Sequence, residues 1–161
     1  MKCYRIAKET YVTNLNGVGA FIAGGRWNNK GTTYMVYTAE SRALAMAEAA
    51  VHIPFNVMPD NYMIIEIKVP DELIVELDPK KLEGIPWNIT PPIPETQEIG
   101  DAFIRDQLSL GLKVPSAVVP GDFNIVLNPN YPDFTKHVAI TDKRTFPFDK
   151  RLLLRNGDEE S

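Results

Sequence analysis

The sequence predicts an α+β fold: one compact domain built on a mixed or antiparallel sheet. Three observations lead there. Short runs of β-branched and aromatic residues outnumber the helical periods. These runs follow one another without the regular intervening helices that a doubly wound sheet requires. Finally, 161 residues, 44% hydrophobic and 24% charged, suit a single core. A chain of that size buries roughly 70% of its unfolded surface.

Residues 34–38, Tyr-Met-Val-Tyr-Thr, form the first clear strand run. A helix over 39–52 follows, with Thr38 as N-cap and Glu40 in the first turn, where the macrodipole favours an acid. Residues 62–69 are the longest β-type run, and 73–77 a shorter one. Prolines then gather at 86–94, which predicts an extended, semi-rigid surface crossing inside the domain. A second helix over 96–110 is expected to bury Ile99, Ala102, Phe103 and Leu110 and to stop at Gly111. Residues 116–119, 123–127 and 137–140 read as short strands, and 150–154 as a further one. The domain is expected to span 1–155. Residues 156–161, polar and carrying three acids, read as a disordered tail.

Composition narrows the function classes. Seventeen basic against 21 acidic side chains leave a net charge of −4, which argues against direct nucleic-acid binding. A local basic patch would escape that average. Cys3 is the single cysteine and has no internal disulfide partner. His52 and His137 share no zinc-ligand spacing with it, so no metal site is expected. No apolar run approaches the ~20 residues of a membrane span, and no signal-type stretch follows Met1. A soluble cytoplasmic protein in a reducing compartment is the expectation.

Two features carry chemistry. Gly24-Gly25-Arg26-Trp27-Asn28 lets backbone approach a ligand and presents a planar guanidinium fork to a phosphate or carboxylate. The same residues also read as a glycine-rich turn with a solvated arginine. They are neither a Rossmann fingerprint nor a P-loop. Glu48 is the second feature. At about 100° per residue it shares a stripe with Leu44, Ala47 and Val51, so a carboxylate sits where the helix should face the core. It either serves a site or escapes at the stripe's edge. Arg42, on nearly the opposite face, is a poor partner for it.

Tyr37 lies eleven residues after Arg26 and eleven before Glu48, on a strand that feeds the helix of Glu48. Taken alone, such a tyrosine is more often a core or sheet-face aromatic. Ser116 after Pro115 and Asn128 before Pro129 read as turn or cap residues. No Gly-x-Ser-x-Gly elbow surrounds Ser116, and neither histidine has an evident triad.

Together these motifs resemble the RES domain family. The resemblance runs through 24–28, then Tyr37-Thr38-Ala39-Glu40-Ser41, then Ala45-Met46-Ala47-Glu48. It continues in Val114-Pro115-Ser116-Ala117-Val118-Val119 and Asn124-Ile125-Val126-Leu127-Asn128-Pro129, with Tyr4-Arg5-Ile6 as an opening strand. The motifs keep their order over nearly the whole chain.

The resemblance implies a fold similar to ADP-ribosylating toxins and the toxin half of a bacterial toxin–antitoxin pair. It implies cleavage of the nicotinamide–ribose bond of NAD+, by hydrolysis or by phosphorolysis with phosphate as co-substrate. The family's other activity is ADP-ribosylation of a protein. NAD+ enters as substrate, and no cofactor or metal is implied. The implied partner is a helix-turn-helix antitoxin that blocks the cleft. In these roles Glu48 stabilises the oxocarbenium-like ribose, Arg26 and Arg5 hold the dinucleotide, and Tyr37 lines the nicotinamide pocket. Ser116 bonds the substrate or Glu48, and Asn128 supports the cleft.

NAD+ degradation leads over protein modification, because no target-recognition insert is visible. An inactive antitoxin-binding module ranks lower, since every matching polar residue is present. A DNA-binding repressor is disfavoured by the lack of a helix-turn-helix pattern.

Overall fold

A computed structural model describes residues 1–54 and 56–153. The elements run β1 (Lys2–Lys8), α1 (Glu9–Val12), α2 (Val18–Ala23), β2 (Val36–Ala39), α3 (Arg42–Ala50), β3 (Tyr62–Lys68) and β4 (Ile74–Glu76). They continue with α4 (Pro94–Asp106), β5 (Gly111–Pro115), β6 (Phe123–Leu127), α5 (Phe134–His137), β7 (Ala139–Thr145) and α6 (Lys150–Leu153). One seven-stranded sheet takes the order β4-β5-β6-β2-β1-β3-β7. Its pairs are antiparallel except β4 with β5, as a mixed α+β sheet requires.

Strand alternation sorts the side chains onto two faces. On one face Cys3, Val36, Ile65, Ile67, Ile125 and Leu127 pack with Val12 of α1 and with Leu110. On the other, Met35, Leu112, Val114 and Val126 pack with Trp27 and with Ile104 of α4. Leu44 and Ala45 of α3 extend that second layer over Ala39, Tyr4 and Ile6.

The sheet is narrowest in its middle. β1 and β2 share only the pair Tyr4–Ala39, whereas β1 matches β3 from Lys2–Lys68 to Lys8–Tyr62. β2 matches β6 from Val36–Leu127 to Ala39–Asn124. Two half-sheets therefore meet at one residue pair, and α3 packs across both β1 and β2.

Several expectations are corrected. The helix after β2 starts at Arg42, capped by Ser41, whose side chain accepts the Leu44 N–H. Thr38 is not the cap: it is buried within β2 and donates its hydroxyl to the Ile125 carbonyl at 2.6 Å. Glu40 precedes the helix and accepts the Phe123 N–H at 2.9 Å. Val51 is 58% exposed, so the buried stripe of α3 centres on Leu44 and Ala45.

The second helix ends at Asp106, where Gln107 turns left-handed at φ 51°. Gly111 opens β5 instead of closing α4, because a Cβ there would lie 2.5 Å from the Ile74 side chain. α4 buries Thr96, Gly100, Asp101 and Ile104. Ile99 and Phe103 of the expected stripe pack half-buried against that core, Ala102 is half-buried, and Leu110, beyond the helix, is fully buried. Ser116 follows strand β5 instead of opening a strand, and β7 begins after a short helix that ends at His137. Residues 150–153 form a helix, not a strand. The expected tail, 156–161, lies outside the described residues.

Candidate active site

The site is assembled from the loop at 24–33, the end of β2, the last turn of α3 and the segment around β5 and β6. Each part reaches its place for a local reason.

The loop is ordered by backbone and by Tyr37. Gly25 N–H donates to the Asn28 carbonyl at 3.0 Å and closes the turn. The Tyr37 hydroxyl accepts the Trp27 N–H at 3.0 Å and donates to Asn28 Oδ1 at 2.8 Å. A Cβ at position 25 would stand 2.5 Å from that hydroxyl, so the second glycine is there for close approach. Wholly buried Asn28 returns its amide to the Ala20 carbonyl at 2.8 Å.

Helix α4 fastens the same loop from outside. Gln97 Nε2 donates to the Gly25 carbonyl at 3.0 Å. Gly100 packs so closely on Trp27 that any side chain would collide with its carbonyl oxygen. Buried Asp101 accepts from Asn29 Nδ2 at 2.8 Å, from Asn29 N–H at 3.2 Å and from the Thr33 hydroxyl. A charge so far out of water is sustained by this full set of donors.

Arg26 leaves this scaffold half-buried. Its Nη1 donates to the Trp87 carbonyl at 2.6 Å and the Ile89 carbonyl at 2.8 Å. The proline-rich crossing is thus the wall against which the guanidinium rests. Burial lowers the Arg26 pKa, while the neighbouring Glu48 carboxylate and Tyr37 raise it. Burial also pushes the Tyr37 hydroxyl well above the ordinary phenol value, opposed by the Trp27 N–H bond, with Asp101 raising and Arg26 lowering it. The hydroxyl is therefore a proton donor at neutral pH.

Glu48 is half-buried, and one of its oxygens is fixed from below. Oε1 accepts the Ser116 hydroxyl at 2.8 Å and Asn124 Nδ2 at 2.6 Å. Ser116 Oγ itself accepts the N–H groups of Val118 and Val119 at 3.1 and 3.0 Å. Its one proton is committed to Glu48. Oε2 takes no hydrogen bond among the described residues, and no buried side-chain oxygen there lacks a partner, so Oε2 meets solvent.

The structure thus hydrogen-bonds Ser116 to Glu48 and sets Glu48 and Tyr37 within electrostatic reach of Arg26, as one group. Arg5 and Asn128 are not joined to it by any hydrogen bond among the described residues. Arg5 alternates with Tyr4 and Ile6, which face α3, and its Nη1 donates to the Asn14 carbonyl at 3.1 Å. Asn128 is wholly buried, gives Nδ2 to the Ile104 carbonyl at 3.2 Å and accepts the Asn130 N–H at 2.9 Å. It ties the end of β6 to α4, with no amide end left for a substrate. Arg42, excluded above as a partner of Glu48, pairs with Glu66 at 3.3 Å.

Sequence reasoning missed Asn124 and Asp101. Both carry a readable signal: a polar side chain where periodicity demands an apolar one. Asn124 shares its sheet face with Val126 in a central strand, and Asp101 lies on the buried side of α4.

Among solved structures, the chain is similar to the M. tuberculosis MbcT–MbcA toxin–antitoxin complex, with a TM-score of 0.70 at 22% identity. It covers 91% of this chain and 84% of that one. The architecture is the RES-type toxin fold. The RES domain model matches residues 2–149. Toxin Res of Photorhabdus laumondii is 36% identical over 156 residues, covering 95% of this chain and 97% of the relative. The Prs ADP-ribosylating toxin of a Sphingobium species is 36% identical over 155 residues, covering 93% and 95%. Toxin Res of Yersinia enterocolitica is 35% identical over 153 residues, covering 94% and 99%. The chain belongs to the RES domain family, a family of toxins.

Proposed function

We propose that this toxin consumes NAD+ by cleaving the bond between nicotinamide and ribose. The observation that carries the reading is the Glu48 carboxylate, held on one oxygen by Ser116 and Asn124 and open on the other, beside Arg26. As the bond breaks, its electron pair returns to the pyridinium nitrogen and neutralises nicotinamide. The ribose C1 is left oxocarbenium-like, and a fixed carboxylate stabilises that charge with little reorganisation. Arg26 supplies donors to the pyrophosphate, and Tyr37 lines the nicotinamide pocket. Water or phosphate then forms the new bond at C1, giving ADP-ribose or its 1″-phosphate. No metal or organic cofactor takes part.

Transfer of ADP-ribose to a protein is a second reading, favoured by the 36% identical relative named an ADP-ribosylating toxin. The first step is shared, and only the acceptor differs. An inactive antitoxin-binding module is a weaker reading. The proposed partner is a helix-turn-helix antitoxin that covers the cleft, in keeping with the toxin–antitoxin complex found among the structural neighbours.

The test is incubation of purified protein with NAD+, with and without phosphate, and mass spectrometry of the products. Free ADP-ribose, its 1″-phosphate and ADP-ribosylated protein separate the acceptors. Absence of nicotinamide release with and without phosphate would overturn the NAD+-degrading reading and favour the binding module.

A further inference from the structure

We infer that Asn124 is a positioning residue for the reaction proposed above, and that Glu48 acts through Oε2 alone. The inference rests on that reading of the site.

Asn124 is an unusual residue for its location. It stands within β6, opposite Val114 of β5 and Ala39 of β2. Both neighbours are buried apolar residues. Asn124 itself is half-buried. Asparagine is depleted in strands, and a partly desolvated amide costs free energy unless it is paired. Its side chain answers that cost with one contact, Nδ2 to Glu48 Oε1 at 2.6 Å.

That contact completes a set. A carboxylate oxygen has two lone-pair directions, and the Ser116 hydroxyl occupies the other at 2.8 Å. Ser116 cannot turn away, because Val118 and Val119 N–H groups hold its oxygen. Asn124 cannot easily turn either, since its backbone lies in the centre of the sheet. Two rigid elements therefore fix both the place and the rotation of the carboxylate on α3. Oε1 is saturated, and Oε2 is the oxygen presented to a substrate. Without Asn124, Ser116 alone would hold Oε1, and the plane of the carboxylate would be free to swing.

Asn124→Leu keeps the side-chain volume and removes the donor, and Asn124→Ala serves as a second variant should leucine disturb the fold. With folding verified by circular dichroism, kcat for nicotinamide release should fall roughly 10- to 100-fold. KM for NAD+ should stay within about twofold, because the residue acts through Glu48 and not on the substrate. A merely structural residue would not split kcat from KM in this way. In folded wild-type protein, the Asn124 side-chain amide resonance should shift upfield on Glu48→Ala.

An active wild type whose Asn124 variants match its kcat overturns this inference alone. So does an Asn124 amide resonance that ignores Glu48→Ala. A wild type that releases no nicotinamide overturns the functional reading and this inference with it.

Discussion

Tyr37 holds the 24–28 loop through its hydroxyl. It accepts from Trp27 and donates to Asn28, so the turn that aims Arg26 depends on a side chain of β2. That dependence explains why Gly25 bears no side chain, and it was not readable from the even spacing of Arg26, Tyr37 and Glu48. Glu48 was more legible, because an acid on an apolar helical stripe calls for a partner. What spacing could not supply was the partner's identity: Asn124 lies 76 residues away in sequence. Cys3 gives a residue-scale check of the core. Burial pushes its thiol up to about 11, against a smaller opposing effect of Thr38. At about pH 8 the native thiol should react with a thiol reagent on the order of a hundredfold more slowly than in unfolded protein. Equal rates would mean that β1 does not sit against its core as described.

Helix α4 is the element on which the site loop is mounted. Gln97, Gly100 and Asp101, on successive turns, all touch the segment from Gly25 to Thr33. Gly100→Ala forces the helix off Trp27 and should cost about 1–3 kcal/mol, read as a lower midpoint in urea unfolding. An unchanged midpoint would show that the helix does not bear on the loop. The existence of α3, α4, β2, β3 and β6 was legible from period and composition, whereas β1 came only from the family resemblance and β7 only in its first residues. Their ends were less so, for reasons that lie in tertiary contacts. Thr38 looks like a cap until Ile125 claims its hydroxyl, and Gly111 looks like a helix stop until Ile74 crowds it. The short apolar run at 150–153 offers no period long enough to separate strand from helix.

Across the molecule, the two half-sheets meet at Tyr4–Ala39, and a charged cluster ties α3 to the β1–β3–β7 half. Glu66 of β3 binds Lys2 at 2.9 Å, Thr141 of β7 at 2.9 Å and Arg42 of α3 at 3.3 Å. Arg42 also lies 4.8 Å from the centre of the Tyr4 ring. The hydrogen bond from Lys2, then that from Thr141, holds the Glu66 pKa below the ordinary glutamate value, against the opposing effect of burial. Between those two pKa values the unfolded chain binds more protons than the native one, so stability rises with pH. The contribution is full above the unfolded pKa and is lost as pH falls through the native one. Glu66→Gln should therefore flatten the loss of stability as pH falls through and below the ordinary glutamate range in denaturant titrations. An unchanged slope would remove Glu66 from that account. The central claim concerns the Glu48 carboxylate, and it is tested most directly by nicotinamide release from NAD+. Wild-type protein should release it, while Glu48→Ala and Arg26→Ala, folded as judged by circular dichroism, should release none above background. Full release by a verified Glu48→Ala protein would contradict the account.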